Sequence, residues 1–382
     1  MNRLVIIGNG FDMAHGLKTS YKDFINWYWE QRLNALLTEQ SAVSEDCLCK
    51  LSIINTGVYS SWFLYFHANS WRKVNTGEWK CPPVKIVSAF KDDPLNFKVT
   101  FSRFFETIIK SIETKGWVDI ENDYYQLLKH STEKVDCGYS VKELNNQLAF
   151  LQGKLIEYLR TLNIPEPIDA IWKAMTDIVC VEDLSIEGKK LAKSIDNSIE
   201  FDTNSFDDYR YTMERYNGLK AEHIMLLCFN YTGTVRKYER FGGFILNYIH
   251  GELEHPECII FGYGDELDKG YHDIAERNDN ELLKNVKSVK YLETNHYHKM
   301  LDFLIAAPYQ VQIMGHSCGN SDRTLLNTVF EHENCVSIKP FYHIWEDVSD
   351  NYLDLVQNIS RNFTNMKLFR DRVVNKEQCL SM

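Results

Sequence analysis

The chain has 382 residues, enough to bury a large core as one big domain or about two smaller ones. A hydrophobic fraction of 44% and an aromatic fraction of 13% exclude long disorder, and a net charge of −11 in short mixed runs disfavours sequence-independent binding to nucleic acid or a membrane surface. The ten cysteines are scattered. Cys47 and Cys49 form a lone C-x-C pair with Cys81 far behind, so structural zinc is not expected and the thiols read as small apolar residues.

Residues 4–7, Leu-Val-Ile-Ile, are the continuous apolar run of a strand buried on both faces of a parallel sheet. The run is too short for a secretory h-region, and no stretch approaches the roughly 20 apolar residues of a membrane span. A soluble, cytoplasmic protein is expected. Thr19 or Ser20 caps a helix carrying Tyr21, Phe24, Ile25 and Tyr28 at helical spacing, with the aromatics up to Trp29 read as core.

From residue 41 to 219 the texture is mainly helical. Phe101, Phe104, Phe105, Ile108 and Ile109 form one apolar stripe, and Leu144, Leu148, Leu151, Leu155 and Leu159 another. Asp119 and Glu121 read as surface acids, and Pro165 and Pro167 mark a break. Residues 55–94, rich in tryptophan, glycine and lysine, receive no assignment. Beyond residue 222 short apolar runs return at 224–229, 244–249, 258–261, 311–314 and 336–338. Asn295, His296, Tyr297 and His298 between them read as helix or loop, with metal binding not expected. The pattern implies an α/β core of residues 1–40 and 220–345 with a parallel, Rossmann-like sheet, a helical insertion at 41–219 and a helical tail at 346–382.

In a doubly wound sheet, ligands bind outside the carboxyl ends of the strands. The residues that follow each run are Gly8-Asn9-Gly10-Phe11-Asp12, Asn230-Tyr231-Thr232, His250-Gly251, Gly262-Tyr263-Gly264-Asp265, Gly315-His316-Ser317 and Tyr342-His343. Their glycines, asparagines and histidines point to one shared pocket. Gly8 and Gly10 let a backbone approach a phosphate at a helix start, but Met13 stands where the dinucleotide fingerprint has its third glycine and Gly16 comes later. Asp12 repels a phosphate and suits a ribose hydroxyl, a histidine or a helix cap. Asp322 either caps a helix or reaches the ligand.

The stretch from Leu4 through Gly8-Asn9-Gly10-Phe11-Asp12-Met13-Ala14-His15-Gly16-Leu17 to Tyr21 resembles the signature of the AbiH abortive-infection family, as do the blocks Trp117-Val118-Asp119-Ile120-Glu121, Phe229-Asn230-Tyr231-Thr232 and Gly315-His316-Ser317. The resemblance implies defence against phage. Gly8-Asn9-Gly10, Asp12 and Gly16-Leu17 also match the spacing of the sirtuin cofactor loop, with Asn230 and His250-Gly251 where those enzymes carry an asparagine and a histidine-glycine pair. That second resemblance implies a sirtuin-related pocket, in which Asn230 holds a ribose or water and His250 acts as a base. Asp12, Lys18-Thr19-Ser20-Tyr21 and Thr232 depart from the sirtuin pattern, and its zinc-binding cysteine pairs are missing.

The expectation is an abortive-infection effector with a nucleotide pocket of Gly8, Asn9, Gly10, Phe11, Asp12, Gly16, Gly315, His316, Ser317 and Asp322. With Asn230 and His250 catalytic, it would cleave an N-glycosidic bond of NAD or a related nucleotide without a metal or other cofactor. Two alternatives stay open. One is a non-catalytic nucleotide sensor with a protein partner or a second copy. The other is a nuclease, for which Asp183, Glu187 and Lys189 are the only local hint.

Overall fold

Leu4, Val5, Ile6 and Ile7 expose no surface, which a strand achieves only when both of its faces are covered. They belong to a computed structural model that describes residues 1–38, 42–54, 82–115, 119–133, 137–195 and 218–382. Among the described residues the strands are, in chain order, β1 (Asn2–Ile7), β2 (Val43–Glu45), β3 (Cys49–Ile53), β4 (Phe97–Phe101), β5 (Val179–Cys180), β6 (Gly218–Leu219), β7 (Ile224–Cys228), β8 (Phe244–Tyr248), β9 (Tyr309–Met314) and β10 (Cys335–Phe341).

The chain divides into two compact units. The first comprises Met1–Leu17, Asn163–Asn278 and Asn285–Met382, and the second Lys18–Leu162 and Asp279–Lys284. The helix Tyr21–Thr38 therefore falls in the second unit. Residues 163–195, read from patterning as part of the middle, fall in the first, as does the tail with its helices Tyr352–Arg361 and Met366–Arg372.

The first unit is built on a five-stranded sheet of order β10-β9-β1-β7-β8, every neighbouring pair parallel. Successive residues of a strand face opposite sides, and the core splits accordingly. Leu4 and Ile6 pack with Met225, Leu227, Val311 and Ile313 on one face. Val5 and Ile7 pack with Leu226, Cys228, Met314 and Phe341 on the other. From β1 the chain runs outward through β7 to β8, then returns across β1 to β9 and β10. The segments leaving β1 and β9 diverge, and a crevice opens at such a switch point.

One expected strand does not form. Residues 256–258 make a 3-10 turn, and Ile259, Ile260 and Phe261 are buried without joining the sheet. Burial alone accounts for a short apolar run, so such a run does not identify a strand by itself. The other runs pair as read.

In the second unit β2, β3 and β4 form an antiparallel sheet inside what patterning showed as mainly helical. The leucine stripe lies on the helix Val141–Leu159, where Leu144, Leu148, Leu151, Leu155 and Leu159 are all buried. Ser140 caps it by accepting the Glu143 N–H at 3.1 Å. Ser20, rather than Thr19, caps Tyr21–Thr38 by accepting the Asp23 N–H at 3.1 Å. Residues 55–81 and Trp117 and Val118 of the second AbiH-like block lie outside the described residues. Glu121, read as a surface acid, is buried on the helix Ile120–Glu133.

Candidate functional site

Strand ends that lie side by side bring their loops together, and this sheet does so for five of the segments read as a site. The loop after β1 is stitched to the loop after β9: the Gly8 N–H donates to the Met314 carbonyl at 3.0 Å and the Gly10 N–H to the Gly315 carbonyl at 2.8 Å. The glycines permit this approach. A Cβ on Gly8 would stand 2.4 Å from His316 Cα, and one on Gly10 2.8 Å from Gly315 Cα. Gly315 itself has φ +72° and would drive a Cβ to 2.0 Å from the Phe11 nitrogen. The space these glycines leave is filled by the neighbouring loop of the same chain, not held open for a phosphate.

Asn9 is exposed at the start of the short helix Asn9–Ala14, and Phe11 is core. Gly16, at φ +81°, ends that helix, its N–H donating to the Met13 carbonyl at 2.9 Å. Asp12 is buried and accepts the Thr232 hydroxyl at 2.6 Å. Burial pushes its pKa up and the Thr232 bond opposes that. Asn230, after β7, donates an amide N–H to the Gly8 carbonyl at 2.9 Å and bonds Asp12, so it ties the β7 loop to the β1 loop.

His250, after β8, is buried in a cluster of charge. Its Nε2 lies 3.2 Å from Asp322 Oδ1 and 3.1 Å from the Tyr291 hydroxyl. Lys287 Nζ donates to the same Asp322 oxygen at 2.8 Å, and His316 Nε2 stands 3.6 Å from the other. His316 Nδ1 accepts the Cys318 N–H at 3.0 Å, which puts the neutral ring's proton on Nε2, toward Asp322. Phe229 packs on both rings, with centroids 4.9 Å from His250 and 4.3 Å from His316. Burial and the adjacent Lys287 cation bring the His250 pKa down to about 4. Burial alone would raise that of Asp322, but Lys287 and His250 hold it well below the ordinary carboxylate range. The pair is therefore Lys287 cation and Asp322 anion, beside a neutral His250 whose Nε2–H points at the carboxylate. Asp322 precedes the helix Arg323–Glu331 and makes no side-chain cap.

Backbone bonds hold the cluster in place. Ile260 donates to His250, Lys287 to Tyr263 and Gly264 to Ser321, at 2.9, 2.9 and 3.0 Å. Gly251, at φ +81°, would carry a Cβ 2.4 Å from the Cys258 carbonyl, so the glycine after His250 serves this loop packing. Lys287 and Tyr291 escaped the sequence reading. In Lys287-Ser288-Val289-Lys290 a lysine looks like a solvated charge, and no local signal marks it as buried opposite Asp322.

On the β9 and β10 side lies a cavity of about 1000 Å³. Gly10, Gly315, His316 and Ser317 line it, together with Met13 from the first helix and Phe341 from the end of β10. Among the described residues His250, Asn230 and Asp322 do not line it; His316 belongs to both the cavity wall and the charged cluster. Asp183 of the nuclease hint is buried against Lys339 at 2.7 Å, while Glu187 is exposed and pairs with Lys190 at 2.7 Å. His296 Nδ1 donates to Asn247 Oδ1 at 3.0 Å, and no group of three or more His, Cys, Asp or Glu among the described residues is arranged to hold a metal.

A parallel five-stranded sheet, flanked by many helices and with its polar loops gathered at one end, defines a mixed α/β protein. A family model described as "Bacteriophage abortive infection AbiH" matches residues 4–343. The chain belongs to the AbiH family. No curated protein and no solved structure matches it, and the sirtuin-like spacing finds no counterpart among these comparisons. No helix among the described residues is long and apolar enough to cross a membrane.

Proposed function

We propose that this AbiH protein acts in abortive infection through a nucleotide-class small molecule, NAD or a relative, bound at the strand ends of a Rossmann-like, sirtuin-related sheet. The observation that carries this is the cavity: its volume of about 1000 Å³ suits a nucleotide-sized ligand, and it opens beside β1 and β9, where the strand order reverses. Gly10, Gly315, His316, Ser317 and His343 are the strand-end residues that would meet such a ligand.

Between turnover and sensing, two observations pull apart. The contact of His250 with Asp322 at 3.2 Å is the orienting pair that a general base requires, leaving Nδ1 to take a proton. Against turnover, His250 is buried away from the cavity wall, and Asn230, which donates to the Gly8 carbonyl, does not line the cavity either. The second set favours a sensing module that works in the cytoplasm with a protein partner or a second copy.

Mass spectrometry of cell nucleotides after induced expression separates the two. Under turnover, NAD or a related nucleotide falls with the parent and not with His250→Ala. Under sensing, pools stay level while the purified protein still binds nucleotide. Level pools together with no binding by calorimetry refute the nucleotide reading.

A further inference from the structure

The cavity says something about the part of a ligand it would hold. Much of its buried wall is apolar: Met314 and Phe341 from the strand ends, Ile171 from the helix Asp169–Thr176 and Leu355 from the helix Tyr352–Arg361. Two further apolar side chains, Met13 and Trp345, line it while keeping 51% and 45% of their surface exposed, so they form a rim that a ligand would cover. Aromatic and thioether groups of this kind grip the face of a ring.

Charge in the wall runs the other way from what a phosphate needs. Among the described residues, none that lines the cavity is lysine or arginine, and Asp354 contributes a carboxylate. The Gly10 N–H, which a helix start could have offered to an anion, is taken by the Gly315 carbonyl. Asn358 turns one amide N–H to the Ser317 carbonyl at 2.9 Å, and Asn351 accepts the His343 N–H at 2.7 Å. A phosphate entering here would lose its hydration without gaining a lysine or arginine, a cost of several kcal/mol for a buried unpaired charge. An uncharged ring bears no such cost.

We infer that the cavity receives the uncharged, ring-bearing part of its ligand and selects against phosphate, so that it takes a nucleoside in preference to the corresponding nucleotide. The inference rests on the reading of this cavity as the ligand site, and within that reading it assigns any phosphate to solvent outside the wall.

The test is calorimetry on the full chain with adenosine and adenosine 5′-monophosphate, and fluorescence titration with the uncharged apolar dye Nile red. Adenosine should bind at least about tenfold more tightly than its monophosphate, whose charge would lie against a wall that holds the Asp354 carboxylate and no lysine or arginine. Ala174→Phe, which grows a ring from a wall position, should abolish adenosine and dye binding alike. Met13→Arg, at an exposed position on the rim, should bring the monophosphate level with adenosine or beyond it. Thermal melts establish that both variants are folded. Monophosphate binding as tight as adenosine in the parent, and lost in Ala174→Phe, overturns the selectivity and leaves the nucleotide reading standing. Nile red bound and blocked by Ala174→Phe, with neither adenosine nor its monophosphate taken up, upholds the apolar cavity and refutes the nucleotide reading. Binding of none of the three overturns both.

Discussion

The buried ionic group at His250 makes the clearest claims on measurement. Because the folded His250 has its pKa brought down from 6.5 to about 4, the unfolded chain holds more protons than the folded one between those values. Stability from this residue is full above pH 6.5 and drains as pH falls toward 4, by up to about 3 kcal/mol. Denaturant midpoints taken across that window should fall with pH, and His250→Gln should flatten the slope. NMR titration gives a second reading: Lys287→Met should raise the His250 pKa, since the cation that opposes its proton is gone while Asp322 remains. A value unchanged in Lys287→Met would show that burial alone sets it. Asp322→Asn leaves Lys287 buried without its counter-ion and should cost about 3–5 kcal/mol in chemical denaturation.

The glycines belong to the same scale. Gly8→Ala puts a Cβ 2.4 Å from His316 Cα, backbone that cannot swing away. Melting of the unliganded protein should therefore show a loss of about 1–3 kcal/mol or more. If Gly8→Ala melts with the parent and loses only ligand, the glycine serves the ligand instead.

At the level of elements, the helix Val141–Leu159 separates two contributions that share one stretch of sequence. Ser140→Ala removes a single cap and should cost about 1 kcal/mol. Leu151→Ala opens a hole where no surface is exposed and should cost about 2–5 kcal/mol. Equal losses would mean that the helix is held by its start and not by its packed face. Such helices are legible in sequence because spacing of three and four residues lines one face of a single element. The run at 258–261 was not legible in that way. Its backbone bonds the loop at His250 while Ile260 packs in the core, and whether a buried segment also pairs depends on which strand edge is free beside it.

For the molecule as a whole, phage protection is the relevant readout. If the protein is an enzyme, folded His250→Ala should lose protection, since a general base contributes about 10²–10⁴ in rate. If it senses, protection should persist in His250→Ala and fail in Ala174→Phe. The family, the buried parallel strands, the helical stripes and the gathering of polar loops at one end of the sheet were all present in the order of residues, because each follows from local periodicity or a short motif. The partners of those residues were not. That Gly8 yields space to His316, that Asn230 donates to Gly8, and that Lys287 meets Asp322 beside His250 depend on which strands lie side by side and on loops 35 residues apart coming into contact. A sequence states what each side chain can donate or accept. Only the fold decides whether that capacity is turned toward a cavity or used up within the chain.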